Sequence, residues 1–379
     1  MSEKSKIYIF YHGRFPSEKA AALFVAKTAE SFAKLDYEVE MIVPKRKSVT
    51  YNPFTYYNIK QNFKVTYLNS IDLINFRPAM GLGFKISHIS FALALRKYLK
   101  NKITDKDILY SNESISYLFV PKTKTMCYEL HDFPEKHFWF YRNIFNRVTS
   151  ILVTNKWKEI ELHNKFTATK TKTFVELNAV DVSEFNLNLS KKEARAKLSL
   201  PQDKKIVLYT GHLYSWKGVG TLIDAIEYME NSVQVYIVGG TDKDIQAFRE
   251  RYSDKNNLNI IGHRPHQEMP IWQKAADVLV IPNTAKEKIS KYYTSPMKLF
   301  EYLTSGRPII ASNIPSIKEI YASVPVYFFN PDDAVSLAES VCKVLDVEIN
   351  DDNKAVVKRF IESHSWLNRA KRIESLVIK

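Results

Sequence analysis

Lys217 follows by six positions Gly211, which ends the apolar run KIVLYTG, and Glu301 falls in the second turn of a short helix within YYTSPMKLFEYLTSGRPIIAS, Tyr292 to Ser312. A glycine at the carboxyl end of a strand lets backbone approach a phosphate, and a nearby lysine supplies a point charge to a diphosphate. In the second stretch Ser295 is expected to cap the helix, Pro296 to open it and Gly306 to end it, with a strand over Ile309 to Ala311 after Pro308. Behind the polar, aromatic loop Tyr292, Tyr293 and Thr294, the helix start has spare backbone N–H groups and the positive end of the dipole, so it could bind an anion. The carboxylate of Glu301 accepts two hydrogen bonds and suits a ribose diol, although an ion pair with Lys298 at i, i+3 would occupy it equally well. A tight turn with a solvated lysine would likewise account for Gly211 and Lys217 taken alone.

A third group stands in YELHD, where Glu129, His131 and Asp132 end a strand. Glu129 alternates with His131 and could orient it, or could fix the loop; a lone histidine is more often a satisfied structural residue than a working one. Two Asp-Lys-Asp triplets, Asp105 to Asp107 and Asp242 to Asp244, have the look of a metal-binding pattern, but the first introduces a strand and Thr241 or Asp242 of the second would cap a helix. With only Cys127 and Cys342, no CxxC metal pattern or disulfide framework exists.

The elements that must position these groups are short, nearly all-apolar strands separated by helical spacing. KIYIFYHG, the helix carrying Leu23, Ala26, Ala29 and Phe32, and VEMIVP make a βαβ opening. Further strands are expected at 107–111, 125–132, 149–154, 172–178, 205–211, 233–240, 258–262, 277–283 and 308–312, so the fold class is α/β with parallel sheets covered on both faces. The polar stretch from Asp181, with Ser190 and Glu193 spaced as a capping box, divides the chain into 1–183 and 184–363. Periodicity in SWLNRAKRIESLVIK leaves open which domain the last helix, 364–379, packs on, the first being one choice. Each half should be one doubly wound sheet with ligands at the carboxyl ends of its strands, the two facing across a cleft.

Lys and Arg number 55 against 41 Asp and Glu, and this +14 balance attracts polyanions: nucleic acid, anionic lipid or a phosphorylated small molecule. No zinc finger, RRM-type aromatic motif or clustered basic arm supports nucleic acid. No apolar run reaches the ~18 residues that span a bilayer, and the N-terminal residues lack the form of a signal peptide, so a cytoplasmic setting is expected. KISHISFALALRKYLKNK, acid-free from Lys85 to Lys102, and FPEKHFWFYRNIFNRV could meet an anionic membrane face or a lipid-linked acceptor; core packing with a solvated basic face explains them as well.

YTGHLYSWKGVGTLIDA, IIGHRPHQEMPIWQKAADVLVIPN and SPMKLFEYLTSGRPIIASNIPSIKEI, in this order, resemble the family 4 glycosyltransferases of the GT-B fold, with bacterial members that assemble surface polysaccharides and lipid-linked glycans nearest in look. SEKAAALFVAKTAESFAKLDYEVEMIVP, YELHD and VELNAVDVSEF are similar to that family's N-terminal half. The resemblance implies a C-terminal domain that binds a UDP-sugar or GDP-sugar donor and an N-terminal domain that receives a glycan or polyprenyl-linked acceptor. Lys217 would contact the diphosphate, Glu301 the ribose, and the backbone through Thr294, Ser295, Lys298 and Leu299 the phosphates and sugar. Gly211 and His212 would belong to the same donor site, Arg264 would lie near the base, His131 would touch the donor sugar, and Gly13 would let the first loop approach it.

The reaction so implied is hexosyl transfer with retained anomeric configuration, without metal or cofactor, in which positioning and electrostatic stabilisation of the diphosphate do most of the work. The sequence departs from the family pattern at Tyr293, where a sugar-contacting glutamate is common, at His212, where an arginine is usual, and in YHGRFPSEKA, which has one glycine where many members have a pair. A non-catalytic nucleotide-sugar binder that partners another transferase and a sugar-nucleotide epimerase are the competing readings. A dinucleotide oxidoreductase is disfavoured, because no GxGxxG follows the first strand.

Overall fold

The computed structural model describes residues 5–46, 51–73, 80–321, 324–345, 347 and 350–378. The chain divides into two compact units, Met1–Glu176 together with Trp366–Lys379, and Leu177–Ser365. The first contains β1 (Ile7–Phe10), β2 (Val39–Pro44), β3 (Lys64–Leu68), β4 (Ile108–Ser111), β5 (Thr125–Leu130), β6 (Ser150–Val153) and β7 (Thr173–Val175), in the order β3-β2-β1-β4-β5-β6-β7. The second contains β8 (Lys205–Thr210), β9 (Val233–Val238), β10 (Leu258–Gly262), β11 (Val278–Ile281), β12 (Ile309–Ser312) and β13 (Tyr327–Phe329), in the order β10-β9-β8-β11-β12-β13. Every pairing in both sheets is parallel. Strand order reverses between β1 and β4 and again between β8 and β11, which are the places where doubly wound sheets bind ligands.

Alternate residues of β8 show why the strands read as continuous apolar runs. Ile206 and Leu208 join Leu299, Phe300 and Leu303 in one core, while Val207 and Tyr209 join Leu222, Ile223 and Val235 in another. Both faces are therefore covered, and no polar alternation is left in the sequence. The edge strands β3 and β13, which the apolar runs did not predict, are partly exposed. At an edge a strand needs only one apolar face, so KVTYL does not stand out.

The polar stretch expected to divide the chain lies inside the second unit. Val180 and Phe185 are 1% exposed and pack in its core, so the connection falls earlier, between Glu176 and Leu177. The segment beyond Ser365 belongs to the first unit, where Trp366, Ala370 and Ile373 are buried and Arg369 donates to Glu129 at 2.5 Å. Among the described residues no helix is long and apolar enough to cross a membrane.

Candidate functional site

The second unit gathers most of the expected donor-site residues around the end of β8. Gly211 has φ +128°, a backbone conformation that favours glycine, and a Cβ there would stand 3.0 Å from the Lys298 ammonium. The Lys298 ammonium lies 3.7 Å from the centre of the Tyr209 ring and has no hydrogen-bond partner. Burial pushes its pKa well down, and the nearby charge of Lys217 lowers it further while Glu301 opposes. Lys217 stacks over the Trp216 ring at 3.7 Å, and burial lowers its pKa to about 7. Gly218, with φ +67°, lets this loop meet β11: a Cβ would collide with the Pro282 carbonyl at 1.9 Å. Two half-buried lysines, with no carboxylate bound to either among the described residues, can take a ligand that brings its own negative charge.

The helix behind them spans Met297–Thr304, and its start differs from expectation. Pro296 occupies the cap position, and Ser295, one residue earlier, makes no capping bond; its hydroxyl is buried without a partner, and its carbonyl accepts from the Asn178 side chain. Gly306 ends the helix with φ +69° as predicted. Leu299 cannot serve as expected: its side chain is in the core and its N–H donates to the Pro296 carbonyl at 3.1 Å. The start of a helix presents backbone N–H groups to an anion. Thr294 and Tyr293 are 7% exposed, and Tyr293 closes a wide turn over Ile289–Tyr293.

Glu301 does not pair with Lys298. It meets the ring of His266, Nε2 to Oε1 at 3.2 Å, and the other imidazole nitrogen lies 3.6 Å from Glu184. Burial opposes protonation of His266, but the two carboxylates outweigh it and raise the pKa to about 9. Spacing gave no sign of this contact, because the partners are separated by 35 positions and meet only through the tertiary fold. Arg264 is exposed and donates to the adjacent His263 carbonyl, near the carboxyl end of β10. His212 stacks its ring on Tyr214, centroids 5.0 Å apart, and its carbonyl accepts from the Tyr209 hydroxyl at 2.6 Å. Asn283, just after β11, is fully buried with both side-chain amide atoms unpartnered; it carries no sequence motif and was not foreseen.

The remaining two predicted residues belong to the first unit. His131 lies edge-on to Phe24 with its Nε2 3.2 Å from the Glu129 carboxylate, near enough for attraction when protonated but without a hydrogen bond. Burial opposes the charge of Glu129, but Arg369, His131 and Tyr110 together lower its pKa to about 2. Gly13 is needed for an internal reason, since a Cβ there would overlap the Tyr11 ring.

One acid of each Asp-Lys-Asp triplet is spent locally. Asp107 accepts from the Thr104 N–H at 2.7 Å and from its hydroxyl at 3.0 Å, and Asp244 completes a capping box with Thr241. Among the described residues one group has metal-ligand proximity, His12, His88 and Glu113. Its atoms are already engaged: Glu113 accepts the His12 N–H at 2.6 Å and meets His88, the two imidazoles stack at 4.0 Å, and Arg46 reaches within 3.4 Å of His12 Nε2. A guanidinium at that nitrogen opposes a second cation.

Residues 204–347 match the family model described as glycosyl transferases group 1. The chain is 26% identical over 253 residues to an uncharacterized glycosyltransferase of Methanocaldococcus jannaschii, covering 62% of this chain and 61% of that protein. It is 26% identical over 165 residues to a protein named for teichuronic acid biosynthesis, the glycosyltransferase TuaC of Bacillus subtilis, covering 43% and 39%. The chain thus matches about three fifths of the first relative and about two fifths of the second. A sucrose-phosphate synthase from Thermosynechococcus elongatus shares the fold at TM-score 0.77, 19% identity and 98% coverage of both chains. The Anabaena protein HepE, solved in complex with UDP-glucose, does so at TM-score 0.70, 16% identity and 98% coverage of both. Two doubly wound parallel sheets and the likeness to these solved structures give the chain the GT-B fold, and within it residues 204–347 match the glycosyl transferases group 1.

Proposed function

We propose that the chain transfers a hexosyl-type sugar from a nucleoside-diphosphate sugar, UDP- or GDP-linked, to a glycan or polyprenyl-linked acceptor in surface-polysaccharide assembly, retaining anomeric configuration and without metal. The observation that carries the donor half is the pair Lys217 and Lys298 at the end of β8, two partly buried ammonium groups with no bound carboxylate, next to a helix start and a ribose-suited Glu301. In that position a diphosphate would gain the charge of both lysines and the dipole of the helix start as its bond to the sugar breaks, which is the stabilisation a departing phosphate needs. HepE in complex with UDP-glucose supports the same donor class. The acceptor reading is supported by the relative named for teichuronic acid biosynthesis.

A thermal-shift panel of UDP, GDP, ADP and CMP without added metal tests the donor reading. A ligand at ~100 times its dissociation constant adds roughly 2.7 kcal/mol, and selective stabilisation by one nucleoside diphosphate is expected. No shift with any of them overturns it. Burial of Tyr293 where relatives commonly carry a glutamate favours the second reading, a binder without catalysis. Donor turnover with a purified acceptor decides between the two.

Association with the cytoplasmic membrane face belongs to the same proposal. On the helix Met80–Leu99, Leu82, Ile86, Ile89 and Leu93 form one exposed stripe, with Lys85, Arg96 and Lys97 on the same helix and Trp139 exposed elsewhere in the unit. Salt-sensitive sedimentation with anionic liposomes, absent with neutral ones, is the expected result.

A further inference from the structure

Three elements of the second unit converge on one imidazole. Glu184 lies in the one-turn helix Val182–Phe185, Glu301 in the helix Met297–Thr304, and His266 opens the turn His266–Glu268 after β10. Both ring nitrogens face carboxylates, at 3.2 Å and 3.6 Å, and carboxylates only accept, so both contacts are attractive when the ring carries two N–H groups. The Phe185 ring meets the imidazole edge-on at 5.3 Å and limits its rotation. Glu301 is thereby held through Oε1, with Oε2 left for a further donor.

A carboxylate that must read a sugar diol needs two properties: it must stay ionised beside an anionic ligand, and it must not swing. A diphosphate near Lys217 and Lys298 disfavours ionisation of Glu301 by like-charge repulsion, and a protonated neighbour counters that. Nothing else described at Glu301 provides such a positive hydrogen-bond donor, because Lys298 turns its ammonium to the Tyr209 ring.

We propose that His266 is a positioning residue which fixes Glu301 for the ribose of the donor nucleotide and so sets discrimination between ribo- and deoxyribonucleoside diphosphates. This rests on the donor reading above, in which Glu301 meets the ribose. The experiment measures binding of UDP and GDP, their 2′-deoxy and 3′-deoxy forms, and inorganic pyrophosphate to the wild-type chain and to Glu301→Gln, His266→Ala and His266→Gln. The wild type is expected to prefer the better ribonucleotide over at least one deoxy form by about tenfold or more. Glu301→Gln should abolish most of that ratio. His266→Ala should reduce it several-fold with pyrophosphate affinity unchanged, and His266→Gln, which can donate one hydrogen bond but carries no charge, should fall between.

Retained discrimination in Glu301→Gln overturns the ribose role of Glu301 and this inference with it. Loss in Glu301→Gln with full discrimination in both His266 variants overturns the role of His266 alone. An equal fall for nucleotides and pyrophosphate shows that His266 only supports the fold, and also overturns it. Should His266→Ala fail to fold, His266→Gln decides by the same ratio. Binding of neither nucleoside diphosphate by the wild type removes the donor reading itself.

Discussion

Two buried lysine environments, one in each unit, show opposite designs. In the first unit, Lys158 donates to the His131 carbonyl at 2.5 Å and the Thr154 hydroxyl at 2.8 Å, and beside it Glu129 is met by Arg369, Tyr110 and His131. In the second, Lys298 has an aromatic face and no hydrogen-bond acceptor. In the first network the lysine and the carboxylate are both met by the protein's own groups, which serves the fold. The second leaves a polar deficit that a ligand can fill, so a site is better recognised by what its charges lack than by how many there are.

The comparison can be broken most severely at Arg369. Replacing it by Ala leaves the fully buried Glu129 without its guanidinium partner, and chemical denaturation should report a loss of about 3–5 kcal/mol. A loss under about 1 kcal/mol would mean the guanidinium does not meet the carboxylate in the sense argued. Next come the ligand effects: Lys217→Ala should cut donor turnover, and Lys298→Met nucleoside-diphosphate affinity, by about tenfold or more each, as read by initial rates and calorimetry. Unchanged values would remove that lysine from the donor site.

Stability sharpens the contrast further. Lys158→Met orphans buried acceptors and should cost about 1–3 kcal/mol, whereas Lys298→Met removes a buried amine that lacks a hydrogen-bond acceptor among the described residues and should be neutral or stabilising by up to about 1 kcal/mol. Equal costs would erase the distinction. The smallest effect concerns protons. The Lys217 pKa of about 7 lies below its ordinary 10.5, so between those values the unfolded chain binds more protons than the folded one. Its burial penalty is therefore complete below about pH 7 and fades as pH rises toward about 10.5. The stability difference between wild type and Lys217→Met should shrink over that window, and diphosphate binding near pH 8 should take up protons, seen as buffer-dependent binding heat.

Much of the fold was legible because a sheet covered on both faces leaves uninterrupted apolar runs such as KIVLYT and VQVYIV. The edge strands β3 and β13 were not, since half of each faces outward and its pattern merges with loop. At the candidate site, Gly211 and Lys217 could be singled out because a strand end, a tight turn and a helix start lie within one short stretch. Glu301 could be placed, but its neighbour could not: the i, i+3 spacing pointed to Lys298, and the fold supplies His266. The Ser295 cap failed for a local reason, since the chain enters the helix one residue later, at Pro296.

The return of Trp366–Lys379 to the first unit also has a bearing on synthesis. A chain emerging from the ribosome usually completes its N-terminal domain first. Here Arg369, the partner that neutralises Glu129, is translated after the whole of Leu177–Ser365. The unit begun first is therefore completed late, and the nascent chain carries a full set of strands whose acid still lacks its guanidinium while the later unit folds. Holding chaperones would find their substrate there, and a premature stop shortly before Trp366 should destabilise the unit farthest from it in the sequence.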